Sequence, residues 1–291
     1  MAREWNEMGV NVPTIYLPKD RDHLEKWCVI ACDQYTSDME YWQNVETAVG
    51  DAPSTLHMVL PEAYLNTGRE TAMGNGAVAC MDTYLQDGTL EALPAGFILV
   101  QRTFCNKAET RTGLVLALDL ECYDYRPGSQ TLIRASEGTI ESRLPARTAI
   151  RRRARLELPH IMVLIDDKQQ TVIEPLAAMR HELEQVYHSA LGFGLGGVAG
   201  YHVPQEKAEG ARVALSALLD GLLARQGAGA PMLFAMGDGN HSFAAAKAFW
   251  EETKPGLSAA ERATHPARFA LCELVNIHDA GLEFEGIHRA V

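Results

Sequence analysis

The sequence predicts an α/β (or α+β) protein in which a mixed sheet is flanked by helices. Three observations carry this expectation. Short apolar runs at 160–165, 232–236 and 269–277 have strand length and stop at polar groups. Longer stretches at 69–85 and 206–225 repeat apolar residues at helical spacing. Hydrophobic residues make up 47% and charged residues 22% of 291 residues, enough to bury a core without metals or disulfides.

Taken in order, residues 27–32 read as a first strand ending at Asp33. A helix follows from about Met39, with Ser37 or Asp38 as its cap. Residues 55–60 read as extended and are halted by Pro61. The helix at 69–85 carries Gly74 and Gly76 in its interior. Residues 97–104 and 112–120 are β-rich and separated by a polar stretch, which predicts an antiparallel pair. Pro127-Gly128 marks a turn-rich loop; one domain is expected, with any sub-boundary near 122–130. The strand at 160–165 ends in Asp166-Asp167, and residues 173–191 read as a helix with His181, Glu182 and Glu184 on its polar side. Gly192, Gly194 and Gly197 fit G-x-G-x-x-G, but a helix is expected before them where a dinucleotide site needs a strand, so 192–200 reads as a flexible loop or lid. The strand at 232–236 runs straight into a glycine turn, a helix opens at about Ser242, and the strand at 269–277 ends in His278-Asp279. The stop at Val291, in what reads as the start of an element, suggests a fragment of a longer chain.

Net charge is -12, which argues against binding to nucleic acid or to an anionic membrane, since both depend on positive fields. One local exception is the cluster Arg143, Arg147, Arg151, Arg152, Arg153 and Arg155. The six cysteines include no C-x-x-C pair, and no apolar run approaches the ~20 residues needed to span a bilayer. A cytoplasmic protein with free thiols is expected. Its expected partner is a small phosphate-containing molecule, with homo-oligomerisation left open.

The richest constellation is Gly237-Asp238-Gly239-Asn240-His241-Ser242 between a strand and a helix. Gly237 and Gly239 allow positive φ and close approach to a ligand. A helix start offers free N–H groups to an anion. Asp238 suits Mg²⁺ or a proton, His241 suits a phosphate oxygen or acid–base work, and Asn240 is a neutral donor. The competing reading is a plain turn with Asp238 or Asn240 as cap. A second constellation is Arg134-Ala135-Ser136-Glu137-Gly138-Thr139, where Glu137 suits a base or metal ligand. Arg147 and Arg151, four apart, share a helix face and suit an anion; a salt-bridged surface helix is the alternative. His160, which leads into an apolar run, reads first as a satisfied core histidine. There is no H-E-x-x-H for zinc and no G-x-S-x-G elbow for a nucleophilic serine.

Several stretches together resemble the uncharacterised bacterial domain-of-unknown-function family 1015. They are the Ala-Cys-Asp-Gln-Tyr-Thr run at 31–36, Tyr125-Arg126-Pro127-Gly128 through Thr139, the Leu-Glu-Leu-Pro-His-Ile run at 156–161, and 237–242 continuing to 265–268 and 275–279. That family is similar to the wider ParB and sulfiredoxin-like superfamily, which includes free-serine kinases. The resemblance implies phosphate contact at Asp238, Gly239 and His241, with ATP or ADP and Mg²⁺ as cofactors and Glu137 or Asp33 as base. The superfamily turn resembles Asp-Gly-His-His-Arg; here Asn240 replaces the first His and Ser242 replaces the Arg, removing a charged phosphate clamp that Arg147 and Arg151 are candidates to supply. Three readings stay open: a phosphotransferase acting on a small hydroxylated metabolite such as L-serine, a phosphatase on a molecule such as phosphoserine, and a non-catalytic nucleotide or metabolite sensor.

Overall fold

Alternation of side chains along adjacent strands builds one ten-stranded mixed sheet with two faces of different character. A computed structural model describes residues 2–30, 35, 38–65, 67–141, 144–158, 160–225 and 230–282. Asp33 and Ser37 lie outside the described residues.

At the centre are β4 (Gly96–Thr103) and β5 (Thr110–Asp119), the predicted antiparallel pair. On one side β4 pairs antiparallel with β10 (Gly197–Pro204), which pairs with β9 (Glu184–Ala190) at the sheet edge. On the other side β5 pairs with β12 (Phe269–Asn276), which runs parallel to β8 (Met162–Ile165). Beyond β8 lie β11 (Phe234–Asp238), antiparallel to it, and then the short strands β7 (Ile133–Arg134) and β6 (Tyr123–Asp124). The short strand β1 (Val10–Asn11) joins the far end of β5, and β2 (Tyr16–Pro18) pairs with β3 (Leu90–Ala92) in a separate ribbon.

One face of the sheet carries the main core. Leu99, Leu114, Leu116, Val163, Phe234, Met236, Cys272 and Leu274 are fully buried there against Leu215 and Leu219 of α6 (Glu209–Ala224) and Phe243 and Trp250 of α7 (Asn240–Thr253). The opposite face, with Ile98, Val100 and Val115, is roofed in part by Leu24 and Trp27 of α1 (Leu24–Trp27) and Met81 of α3 (Glu70–Gln86), bridged by Tyr187. α2 (Met39–Val49) opens on the predicted cap, since Asp38 accepts the Tyr41 N–H. α4 (Leu144–Arg151) packs beside α7, with Leu144 against Ala244 and Ala245. Two further short helices are α5 (Glu174–Ala178) and α8 (Ala259–Thr264). At the far end of α7, Trp250 Nε1 donates to Glu121 at 2.6 Å and Lys254 donates at 3.1 Å. Burial alone would raise the Glu121 carboxyl, but these donors hold it below its ordinary value.

Several expectations are corrected. The first strand expected at 27–32 is instead the end of α1 followed by irregular chain at 28–30. Residues 55–60 contain a 3-10 turn, Thr55–Met58, capped by Ser54. The helix expected at 173–191 is only α5 and a 3-10 turn at Arg180–Glu182; the stretch ends in edge strand β9, with Val186 and Ser189 buried and Glu184, Gln185 and His188 exposed. An exposed edge strand accommodates the same polar residues as a helix face, which is why the pattern misled. The glycine-rich 192–200 stretch is not one loop: it holds the β9–β10 hairpin tip and the first half of β10. Among the described residues Cys28, Cys80, Cys105, Cys122 and Cys272 are free thiols, and no helix is long and apolar enough to cross a membrane.

Candidate functional site

β11 enters the turn through an irregularity. Its register against β8 slips between Met236 and Asp238, so that Asp238 stands opposite Met162 at the very start of β8. Such a bulge re-aims the residue that follows it. Gly239 then takes φ 82 and ψ 23, and α7 begins at Asn240. Of the two glycines, only Gly239 has positive φ; Gly237 sits in the bulge. Gly239 is also forced by space, because a Cβ there would lie 3.1 Å from Ile161 Cα.

Neither Asp238 nor Asn240 caps the helix. The N-cap is Gly239 itself, which has no side chain to cap α7. Asp238 Oδ1 instead accepts the Gly239 N–H at 2.6 Å, which rigidifies the turn. The first helical bond runs from Phe243 N–H to Gly239 C=O at 3.0 Å. The N–H groups of Asn240, His241 and Ser242 therefore have no acceptor within the helix. Their dipoles sum to a partial positive charge at this end.

The second constellation is brought to the same place. The segment after β7 crosses the head of α7, because β7 runs parallel to β11 and both leave the sheet at one edge. Asn240, only 4% exposed, donates from Nδ2 to Ser136 Oγ at 3.2 Å. His241 Nε2 accepts the Ile140 N–H at 3.2 Å. A ring nitrogen that accepts a backbone N–H bears no proton, so the proton of the neutral ring sits on Nδ1. Two buried oxygens beside this seam, Asn240 Oδ1 and Thr139 Oγ1, have no hydrogen-bond partner among the described residues. Glu137 is exposed on the same segment. Buried polar atoms are normally satisfied, so two orphans at one seam call for an explanation.

The arginine cluster is mostly occupied elsewhere. Arg151 pairs with Glu157 and donates to the Phe269 carbonyl at 3.2 Å, while Glu157 accepts the Leu271 N–H at 2.7 Å. Burial pushes the Arg151 guanidinium down to about 10, which still leaves it charged at neutral pH. Arg147 lies one turn earlier on α4. Arg152 pairs with Glu252, and Arg153 donates to Asn75. Arg134 binds the carbonyls of Thr131 and Ala230. His160 is exposed and holds the Leu158 carbonyl rather than lying in the core.

The strand ends do not converge as a parallel sheet would make them. β8 and β11 are antiparallel, so Asp166 lies at the opposite edge from Asp238. There Asp166 Oδ1 meets His278 Nε2 at 2.7 Å. Asp33, the third expected strand end, lies outside the described residues.

The register shows one relation that spacing along the chain conceals. Asp238 stands opposite Met162, and Met162 opposite Glu273. The three form one cross-strand row, which places Asp238 and Glu273 about 10 Å apart at the backbone. Glu273 is held by Arg111, whose Nη2 lies 3.1 and 3.0 Å from its two oxygens. These two residues are separated by 162 positions, so no local motif could have joined them. Among the described residues no group of three or more His, Cys, Asp and Glu side chains is placed to hold a metal ion.

Residues 15–291 match the family model described as "Protein of unknown function (DUF1015)". No curated protein and no solved structure matches the chain.

Proposed function

The chain belongs to the DUF1015 family of proteins of unknown function, and from that premise we propose that it is a nucleotide-dependent phosphotransferase acting on a small hydroxylated metabolite, with L-serine as the first candidate. The observation that carries the reading is the uncapped start of α7 behind Gly239, facing a seam where Asn240 Oδ1 and Thr139 Oγ1 are buried without partners among the described residues. An α-helix start of this kind suits phosphate oxygens. The turn's likeness to the ParB and sulfiredoxin-like signature supports the same reading.

In this reading the α7 N–H groups of Asn240, His241 and Ser242 receive phosphate oxygens. His241, whose Nε2 accepts the Ile140 N–H, stands beside them at the first turn of α7. Asp238 supplies a single carboxylate, which with ligand phosphates is the usual donor set for Mg²⁺. ATP or ADP with Mg²⁺ would supply the transferable phosphoryl group and neutralise its charge. Glu137, exposed on the facing segment, is the candidate base for the acceptor hydroxyl, with Asp33 as the other. Positioning and charge neutralisation are most of what phosphoryl transfer asks of a protein.

Ser242 in place of an arginine favours one second reading, a nucleotide sensor without turnover. Incubation with Mg-ATP or Mg-ADP and L-serine, read as O-phosphoserine, separates the two. The phosphotransferase reading expects turnover that falls by about 10²–10³-fold in Asp238→Ala, the usual loss for a deleted electrostatic contact. Equal product from wild type and variant would sink the assignment of Asp238, and nucleotide binding without product would favour the sensor.

A further inference from the structure

A cavity of about 330 Å³ opens beside Asp166, at the sheet edge opposite the one that carries Asp238. It lies between the last turns of α6 and the ends of β7 and β8, and no residue of the 237–242 turn lines it. Its floor is the buried pair Ile165 and Leu233. One wall is Leu218 and Leu222, one turn apart on α6 and only half-buried. Met232 is exposed at the rim. Small-molecule sites have this make-up, an apolar lining with a few placed polar groups in roughly 300–1,000 Å³.

The polar groups here are two arginines. Arg134 and Arg225 line the same cavity. The Arg134 guanidinium is held by backbone carbonyls: Nε donates to Thr131 at 3.0 Å, and Nη2 donates to Ala230 and Pro231 at 2.6 and 3.4 Å. Carbonyls fix the plane of a guanidinium without neutralising its charge, and Nη1 keeps its donors. Among the described residues neither Arg134 nor Arg225 forms an ion pair, in a chain with 38 acidic residues against 26 Lys and Arg. Asp166 also lines the cavity, but its Oδ1 is engaged by His278 Nε2 at 2.7 Å. Two guanidinium groups and one carboxylate leave the described lining with one net positive charge.

We propose that this cavity binds a small aliphatic carboxylate, with its carboxylate on Arg134 and Arg225 and its chain against Leu218, Leu222, Ile165 and Leu233. It is a second ligand site, independent of the phosphate reading of the 237–242 turn. Charge and lining decide the class. A guanidinium fork pairs with a carboxylate through two parallel hydrogen bonds, and a fork already held in place loses little freedom in doing so. One negative charge balances the cavity, whereas a phosphate dianion also meets Asp166. The apolar floor and wall reward a hydrocarbon chain and offer nothing to a compact ion. At about 30 Å³ for each water-sized group, the volume takes a molecule of about ten heavy atoms.

The test titrates the whole protein with octanoate, octan-1-ol and inorganic phosphate, followed by backbone amide resonances. Octanoate is expected to saturate at or below about 5 mM and to shift Leu218, Leu222 and Leu233. Octan-1-ol should bind at least tenfold more weakly, as for loss of a charged hydrogen-bonding partner, and phosphate should leave those amides unmoved. Arg225→Met should weaken octanoate about two- to fivefold, the effect of an exposed ion pair, and Arg134→Met about tenfold or more. Equal affinity for octanoate and octan-1-ol overturns the proposal, because Arg134 then only staples the carbonyls at 131 and 230. Phosphate binding at these amides as tightly as octanoate overturns the ligand class. So does an octanoate titration that leaves them unmoved or shifts only Gly239 to Ser242. Folded arginine variants that both keep wild-type octanoate affinity overturn it as well. Should Arg134→Met fail to fold, Arg225→Met and the octanoate–octanol comparison on wild type decide.

Discussion

Replacing Gly239 with valine is expected to cost about 3 kcal/mol of stability and to abolish the phosphate binding proposed at the head of α7. Two constraints act independently. The residue holds φ 82, which costs a side-chain-bearing residue roughly 1–2 kcal/mol, and more when it is β-branched. Its Cβ would also lie 3.1 Å from Cα and Cγ1 of Ile161. Ile161 cannot retreat easily, because it is 3% exposed and its carbonyl, just before β8, accepts the Glu273 N–H of β12 at 2.8 Å. Overpacking against a fixed backbone costs roughly 1–3 kcal/mol. Urea unfolding should show a lower midpoint with an unchanged slope. Gly239→Ala should follow in the same direction with about half the loss. A valine variant within about 0.5 kcal/mol of wild type, the range of an ordinary surface change, would contradict this account of the turn.

Asn276→Leu should be comparably damaging, for a different reason. Asn276 is 1% exposed and serves four groups at the end of β12. Its Nδ2 donates to the Asp167 carbonyl at 2.9 Å and to Glu174 Oε1 at 2.7 Å. Its Oδ1 accepts the Asp167 and His278 N–H groups, both at 3.3 Å. Asp167 is itself fully buried and accepts the N–H groups of Thr171 and Val172, so the network ties β12 to the loop between β8 and α5. Leucine nearly matches the volume but strands every partner. Glu174 already has one buried oxygen without a partner and would gain a second. Each stranded group costs about 1–3 kcal/mol, giving a loss of about 3–5 kcal/mol after partial relaxation. Thermal unfolding should shift down by roughly 10 °C. A loss under about 1 kcal/mol would show that water replaces the amide.

The long amphipathic stretches were legible because burial of one face imposes its own period. α3, α6 and α7, the β4–β5 pair, and strands β8, β11 and β12 all fall close to where the sequence puts them. What failed was short or ambiguous. β9 carries polar residues outward as an edge strand, which a helix face would do as well. The short strands β1, β2 and β3 have too few residues to show any period. Strand direction was not legible at all, because it is set by tertiary pairing; the antiparallel relation of β8 and β11 is what sends Asp166 and Asp238 to opposite edges. The turn at 237–242 was legible because its chemistry is local. Its meeting with Ser136 and Ile140 follows from the parallel pairing of β7 with β11, about 100 residues apart in sequence. The Arg111–Glu273 pair left no local trace beyond an otherwise unexplained Gly113.

The central claim is that the head of α7 and the segment facing it hold phosphate. The most direct measurement follows backbone amide resonances of the whole protein during titration with Mg-ADP. The account predicts that the largest shifts fall on Gly239, Asn240, His241 and Ser242, with a second group between Ser136 and Ile140. Saturation of the protein with those amides unmoved, or shifts confined to the opposite edge around Asp166 and His278, would contradict it.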